Sequence, residues 1–277
     1  MNPTFEELLN PAPEHFKHTC EICGKPFENN EPFQWRIVCG KECEAIQEER
    51  EAAERELERD RIATEWLASF RLKVIDSMPP LFQATNIDHQ KFNRAAWDKI
   101  KLWEPMEEKP WAGFTGDTGK CKSRIAHLLA LADLERLAKQ RAPRAQSDRF
   151  QPGFAPDYVF TPSYRISETV MAQFGGKFEG GSRSIHDDRS PAQHARAWLD
   201  KLRDVDVLLI DDLGKGKLSP AVASEMFALV DHRHVNQLVT IWTSNSAPET
   251  IAECMTPDMA APFAGRINES SQIFHFK

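Results

Sequence analysis

Basic residues do not predominate in this sequence: 35 lysines and arginines face 42 aspartates and glutamates, a net charge of -7. No chain-wide field therefore draws the protein to nucleic acid or to an anionic membrane, and any DNA contact must be local. Nowhere does an apolar run approach the roughly 18 residues of a membrane span. The opening stretch "MNPTFEELLNPAPEHFKH" lacks the basic end and apolar centre of a secretory signal. A cytoplasmic protein without a membrane partner is the expectation. Glycine and proline are missing from Glu42 to about Leu72, which argues against a loop there. With 277 residues and 41% hydrophobic content, the chain can bury one sizeable core and add a smaller module.

Four of the six cysteines fall into C-x2-C and C-x3-C pairs, Cys20 with Cys23 and Cys39 with Cys43. In a reducing compartment paired thiols of this spacing hold metal more often than they form disulfides. Gly24 suits a tight knuckle that turns the first two sulfurs to one ion. Cys43 stands where a helical pattern begins, and a helix N-terminus favours a thiolate. Tetrahedral zinc is the expected occupant, and four thiolates leave no open position for a water nucleophile, so the ion is structural. A module of about 30 residues cannot build an adequate core, which couples its folding to the metal. With four thiolates counted, His15 and His18 read as surface residues. The layout resembles a treble-clef zinc finger. Phe33 and Trp35, between the pairs, either anchor a partner or form the small core.

The stretch "ECEAIQEEREAAERELERDRIATEWLASFRL" is rich in helix formers, with Glu51 and Arg55 at i,i+4 spacing. Ile62, Trp66 and Phe70 make an apolar stripe only in its second half. The first half reads as a solvated spacer and the second as docked on the next domain; the apolar heptad is too sparse for a coiled coil. "DSMPPLF" breaks the helix. The expected organisation is a zinc module over 1–44, a helical linker over 45–75 and a catalytic domain over 76–277.

Within the catalytic domain stands "GFTGDTGKCKSR", Gly113 to Arg124. A phosphate-binding loop has the form G-x-x-x-x-G-K-[ST]: backbone N–H groups wrap the phosphates, the lysine neutralises them and the hydroxyl binds magnesium. A frame ending at Lys120 puts Phe114 at the first glycine and Cys121 at the magnesium ligand, where a soft thiol serves a hard ion poorly. The frame Gly116, Asp117, Thr118, Gly119, Lys120, Cys121, Lys122, Ser123 departs only at Cys121. Lys122 is then the phosphate lysine and Ser123 the magnesium hydroxyl. Arg124 and a strong helix pattern follow, so the loop leads into a helix N-terminus. Further on, "DVDVLLIDDLG" reads as a buried strand, Val207 to Ile210, ending in two carboxylates. Asp211 would hold magnesium and Asp212 would orient or deprotonate the attacking water.

The segments "MPPLFQAT", "GDTGKCKSR", "LLIDDLG", "VDHRHVNQLVTIWTSN" and "GRINESSQIFHF" together resemble the AAA+ helicase loaders of the DnaC/DnaI type, close relatives of the IstB transposition ATPases. The resemblance runs from about Ser77 to the last residue. It implies an α/β P-loop NTPase core, a five-stranded parallel sheet flanked by helices, without a C-terminal lid. It implies ATP and magnesium as well as zinc. It makes Asn245 a sensor amide and Phe82 a neighbour of the adenine, or else simple core packing. Arg266 is either an arginine finger offered to a neighbouring subunit of an ATP-dependent homo-oligomer or a structural salt bridge. Partners implied are a replicative helicase hexamer, gripped by the zinc module, and single-stranded DNA, contacted through Lys215, Lys217 and Ser219 unless these are merely a solvated loop. Cys121 departs from the family's glycine and puts the catalytic rate in question. The loops "RAPRAQSDRFQPGFAP" and "GGKFEGGSRSIHDDRSP" either touch DNA or are disordered. The rivals are an IstB-like transposition helper and a zinc-finger adaptor whose nucleotide site is degenerate.

Overall fold

A computed structural model describes residues 16–29, 38–141, 155–174 and 190–276. His15, Phe33, Trp35 and most of the two long loops named above lie outside the described residues. The chain divides into two compact units, Met1–Glu65 and Trp66–Lys277. The span read as a linker, 45–75, is shared between them.

In the first unit, strand β1 (Phe16–Thr19) pairs antiparallel with β2 (Pro26–Asn29). The turn between them is closed by Gly24 N–H donating to the Cys20 carbonyl and Cys20 N–H donating to that of Lys25, both at 2.9 Å. Gly24 has a φ of 71°, the left-handed region where a side chain would be strained. His18 lies against the Phe27 ring. Helix α1 (Lys41–Ser77) begins here and runs on into the second unit, ending just ahead of Pro79 and Pro80.

The larger unit is built on a five-stranded sheet. Its strands are β3 (Trp111–Gly116), β4 (Tyr158–Pro162), β5 (Val207–Asp211), β6 (Val239–Thr243) and β7 (Ser271–Phe276), in the spatial order β4-β5-β6-β3-β7. All four pairings are parallel. Such a sheet needs a helix crossover between strands and is covered on both faces. The helices are α4 (Lys122–Arg141), α5 (Ser163–Ala172), α6 (Pro191–Asp204), α7 (Pro220–Val235), α8 (Pro248–Ala252) and α9 (Pro257–Ser270); the shorter α2 (Pro80–Gln83) and α3 (Arg94–Ile100) precede β3.

Two apolar clusters cover the two faces. In β5, Val207 and Leu209 join one cluster while Leu208 and Ile210 join the other, which is why the run reads as continuously hydrophobic. Phe70 and Val74, near the end of α1, are buried with α4 residues such as Ile125 and Leu129. The apolar stripe read in the second half of the linker thus serves this core from Trp66 onward.

Arg233 of α7 is 1% exposed and fully engaged. Its guanidinium donates to the carbonyls of Leu202, Arg203 and Val205 at the end of α6, to that of Val239, and to Thr240 Oγ1. One cation therefore satisfies the helix-end carbonyls that would otherwise be orphaned. Burial brings it down to about 9, still protonated at neutral pH.

Candidate functional site

The carboxyl ends of β3, β5 and β6 converge. β3 ends at Gly116, whose φ is 129° and where an added Cβ would stand 1.9 Å from the Phe276 carbonyl oxygen. Only glycine fits. The chain then turns through exposed Asp117, Thr118 and Gly119 and enters α4 at Lys122. The turn before the helix is closed by Cys121, with a φ of 67°. A non-glycine residue in this region is strained by about 1 to 2 kcal/mol, which gives the physical reason that glycine is usual here. Its Sγ donates to the Lys91 carbonyl at 3.3 Å.

Lys122 is buried, and its Nζ donates to the Gly116 and Asp117 carbonyls, both at 2.7 Å, and to Asn245 Oδ1 at 2.9 Å. Burial lowers its pKa. Lys120, by contrast, makes no hydrogen bond or ion pair among the described residues. Ser123 Oγ donates to Asp211 Oδ1 at 2.7 Å, and the same carboxylate oxygen accepts from Thr243 Oγ1 at 2.6 Å. Thr243 Oγ1 in turn accepts from the Asp212 backbone N–H at 2.9 Å. Three oxygen donors from three elements are a set that suits a hard cation such as magnesium. Asp212 has a φ of 59° and its Oδ2 pairs with Lys215 Nζ at 3.1 Å. Ser163 Oγ donates to the Asp212 carbonyl.

Beside the loop, the Phe82 ring stacks on His127 with centroids 4.1 Å apart, and Phe160 meets the same imidazole edge-on. His127 Nδ1 lies 2.8 Å from the Ser123 carbonyl. A carbonyl only accepts, so Nδ1 carries the proton. Burial lowers the pKa of His127. Arg124 Nη1 donates to the Leu81 carbonyl and to Thr85 Oγ1, fastening the Pro-Pro segment to the loop helix.

The other expected positions are more dispersed. Arg266 lies in α9, where Nε meets Asp231 Oδ1 at 2.9 Å and Nη1 lies 3.7 Å from Glu269 Oε2, the intrachain salt bridge that was the alternative to a finger. Ser219 caps α7, its Oγ accepting from Val222 N–H. Thr243, His127, Ser163 and the Lys215 pairing were missed by sequence reasoning. The one available signal was the hydroxyl at the end of "VTIWT".

In the smaller unit, the Sγ atoms of Cys20, Cys23, Cys39 and Cys43 lie within 4.8 Å of one another. Cys23 and Cys39 stand 3.5 Å apart, and Cys39 and Cys43 3.6 Å. A tetrahedral ion with Zn–S bonds of about 2.3 Å sets its sulfurs about 3.8 Å apart, so the donors fit such an ion in kind and spacing. The Cys23 backbone N–H brings the Cys20 thiol down to about 6. The neighbouring Cys39 thiol pushes Cys43 up to about 12. One thiolate forms readily and resists the next; a bound dication reverses that resistance. The four cysteines are a cluster that could hold a metal.

No helix among the described residues is long and apolar enough to cross a membrane. No protein-family model matches the sequence, and no curated protein matches it. Among solved structures, the chain is similar to a DnaC helicase loader, at 18% identity over 72% of this chain and 100% of that one, with a TM-score of 0.45. It is similar to DnaI at 17% identity over 74% of this chain and 90% of that one, with a TM-score of 0.42. For AMPPCP-bound DnaA from Aquifex aeolicus the identity is 14% and the TM-score 0.44, over 72% of this chain and 51% of that one, so the chain spans about half of its length. These likenesses leave both fold and function to the chain's own residues. The chain carries a five-stranded parallel α/β core whose glycine loop leads into a helix, preceded by a four-cysteine cluster that could hold a metal.

Proposed function

We propose that this protein is an ATP-dependent loader of a replicative DNA helicase. The observation that carries the nucleotide-dependent part is the convergence of Lys122, Ser123, Asp211, Thr243 and Asn245 at the carboxyl ends of three parallel strands. The loader identity rests on the five sequence segments that resemble the DnaC/DnaI type.

Gly116 to Ser123 wrap the phosphates of ATP, with Lys122 supplying the charge. Its carbonyl and amide partners hold the ammonium at the loop until phosphate oxygens replace them. Magnesium, held through Ser123 and Asp211, would neutralise phosphate charge. Asp212 orients or deprotonates the attacking water, and Asn245 hydrogen-bonds the reacting centre. Phe82 and His127 wall the side of the loop from which Arg124 reaches the Pro-Pro segment. Arg266 serves a neighbouring subunit's nucleotide, exchanging its pair with Asp231 for phosphate as the oligomer forms. Cys20, Cys23, Cys39 and Cys43 would hold the zinc that gives the module (1–44) its shape for docking on the helicase, 45–75 is the spacer and 76–277 the ATPase. Lys215, Lys217 and Ser219 contact single-stranded DNA.

A degenerate-site reading draws on two observations: strain at Cys121 and the ion pair that occupies Asp212. One experiment separates the two. The full chain is assayed for ATP turnover with single-stranded DNA, and for ATP-dependent retention of a hexameric helicase. Measurable turnover that drops about 100-fold in Asp212→Asn, the scale of a lost general base, supports the loader. Turnover unchanged in that variant, or retention of a transposase instead, contradicts it.

A further inference from the structure

Directly after β5, Asp212 sits in a left-handed conformation with a φ of 59°. A side chain is strained there and persists only where its surroundings hold it. Here they do. The Asp212 N–H donates to Thr243 Oγ1 at 2.9 Å, and the Asp212 carbonyl accepts from Ser163 Oγ at 2.6 Å. One residue on, the Leu213 N–H donates to the Thr243 carbonyl at 2.8 Å, and the Leu213 carbonyl accepts from Ser244 Oγ at 2.7 Å. The end of β6 that supplies Thr243 and Ser244 is itself fixed, because the Ser244 N–H donates to the Phe114 carbonyl of β3 at 2.8 Å. Both residues are buried.

The Thr243 hydroxyl has a single proton, and its two neighbours decide where that proton goes. The Asp212 amide can only donate to the oxygen, while the Asp211 carboxylate, with Oδ1 at 2.6 Å, can only accept. The proton is thus committed to Asp211, on the same oxygen that receives the Ser123 hydroxyl at 2.7 Å. Among the described residues, Thr243 is the side chain that hydrogen-bonds both acids.

We propose that Thr243 is a positioning residue for nucleotide turnover, a hydroxyl that acts through the two acids. Toward Asp211 it holds Oδ1 beside Ser123 Oγ, the pair read as magnesium ligands. Toward Asp212 it pins the left-handed backbone from which the carboxylate is presented to water. The role rests on those readings of Asp211 and Asp212. A hydrogen-bond partner that orients a metal-binding carboxylate is worth about 10- to 100-fold in metal affinity or activity.

The test compares Thr243→Val, which keeps the branched shape and removes the hydroxyl, with Thr243→Ser, which keeps the hydroxyl and removes the methyl group. The full zinc-loaded chain is titrated with a fluorescent ATP analogue, in magnesium and in magnesium-free buffer, and its ATP turnover is measured at saturating nucleotide and magnesium. In Thr243→Val the gain in affinity that magnesium confers should shrink about 10-fold, while affinity in magnesium-free buffer stays as in wild type. Its turnover should fall about 10-fold or more. Thr243→Ser should recover most of both. A magnesium gain and a turnover that are intact in Thr243→Val overturn the proposal. So does a worse defect in Thr243→Ser than in Thr243→Val, which makes packing the cause, or an equal loss of affinity with and without magnesium, which marks general damage to the site. No magnesium gain in the wild type refutes Asp211 as a magnesium ligand and the Asp211 half of the role with it. No turnover in the wild type refutes the Asp212 half together with the ATPase reading, while the magnesium comparison still decides the other half.

Discussion

Among the described residues of the N-terminal unit the buried hydrophobic side chains are Cys20 and Cys43, the same groups that would hold a metal. In the larger unit two apolar clusters cover both faces of a parallel sheet, and the buried Arg233 finds all its partners within the unit. The described residues of the smaller unit offer little apolar surface for folding by burial, and its four cysteines, which could hold a metal, offer another source of shape. The larger one folds by burial and is thereby free to keep strained, solvent-facing residues at its strand ends, Cys121 and Asp212 among them.

The contrast breaks most visibly on metal removal. A strong chelator should abolish amide-exchange protection over β1, β2 and the first turn of α1, leaving protection in β3 to β7 as it was. Persistence of the β1–β2 protection in metal-free protein would show that the module folds without an ion. Next in size is Arg233→Met, which orphans buried carbonyls on α6 and at Val239; urea unfolding should register a loss of about 3 kcal/mol or more. A loss below about 1 kcal/mol would mean that the helix-end carbonyls find other donors.

The strained loop should respond in the opposite direction. Cys121→Gly relieves a left-handed φ at some entropic cost, for a net gain of about 0.5 to 1 kcal/mol, visible as a higher melting temperature; a lower one contradicts the strain. The smallest effect concerns His127. Burial holds its folded pKa below the usual value near 6.5, so the unfolded chain takes up the proton first as pH falls. The stabilisation is complete above about pH 6.5 and declines below it. Melting temperatures compared at about pH 7.5 and pH 5.5 should therefore fall further for wild type than for His127→Phe; equal falls would place the sensitivity elsewhere.

Much of this was legible in the sequence because the signals were local. The C-x2-C and C-x3-C spacings, the buried run Val207 to Ile210 and the loop-to-helix transition at Lys122 each follow from short-range chemistry. What escaped was tertiary. Thr243 shares a carboxylate oxygen with Ser123 only because β6 lies beside β5. His127 is brought against the Phe82 ring from a segment 45 residues earlier, a contact that no local pattern announces. Arg266 stayed open between finger and salt bridge because Asp231, its partner, lies 35 residues earlier on another helix.

The central claim, that the loop binds nucleotide in the frame of Lys122 and Ser123, is tested most directly by the affinity of a fluorescent ATP analogue for two variants. Lys122→Ala should weaken binding about 100-fold, the scale of a lost charge-assisted contact, and Lys120→Ala should leave it within about 3-fold. Loss of binding in Lys120→Ala with Lys122→Ala intact would contradict the account.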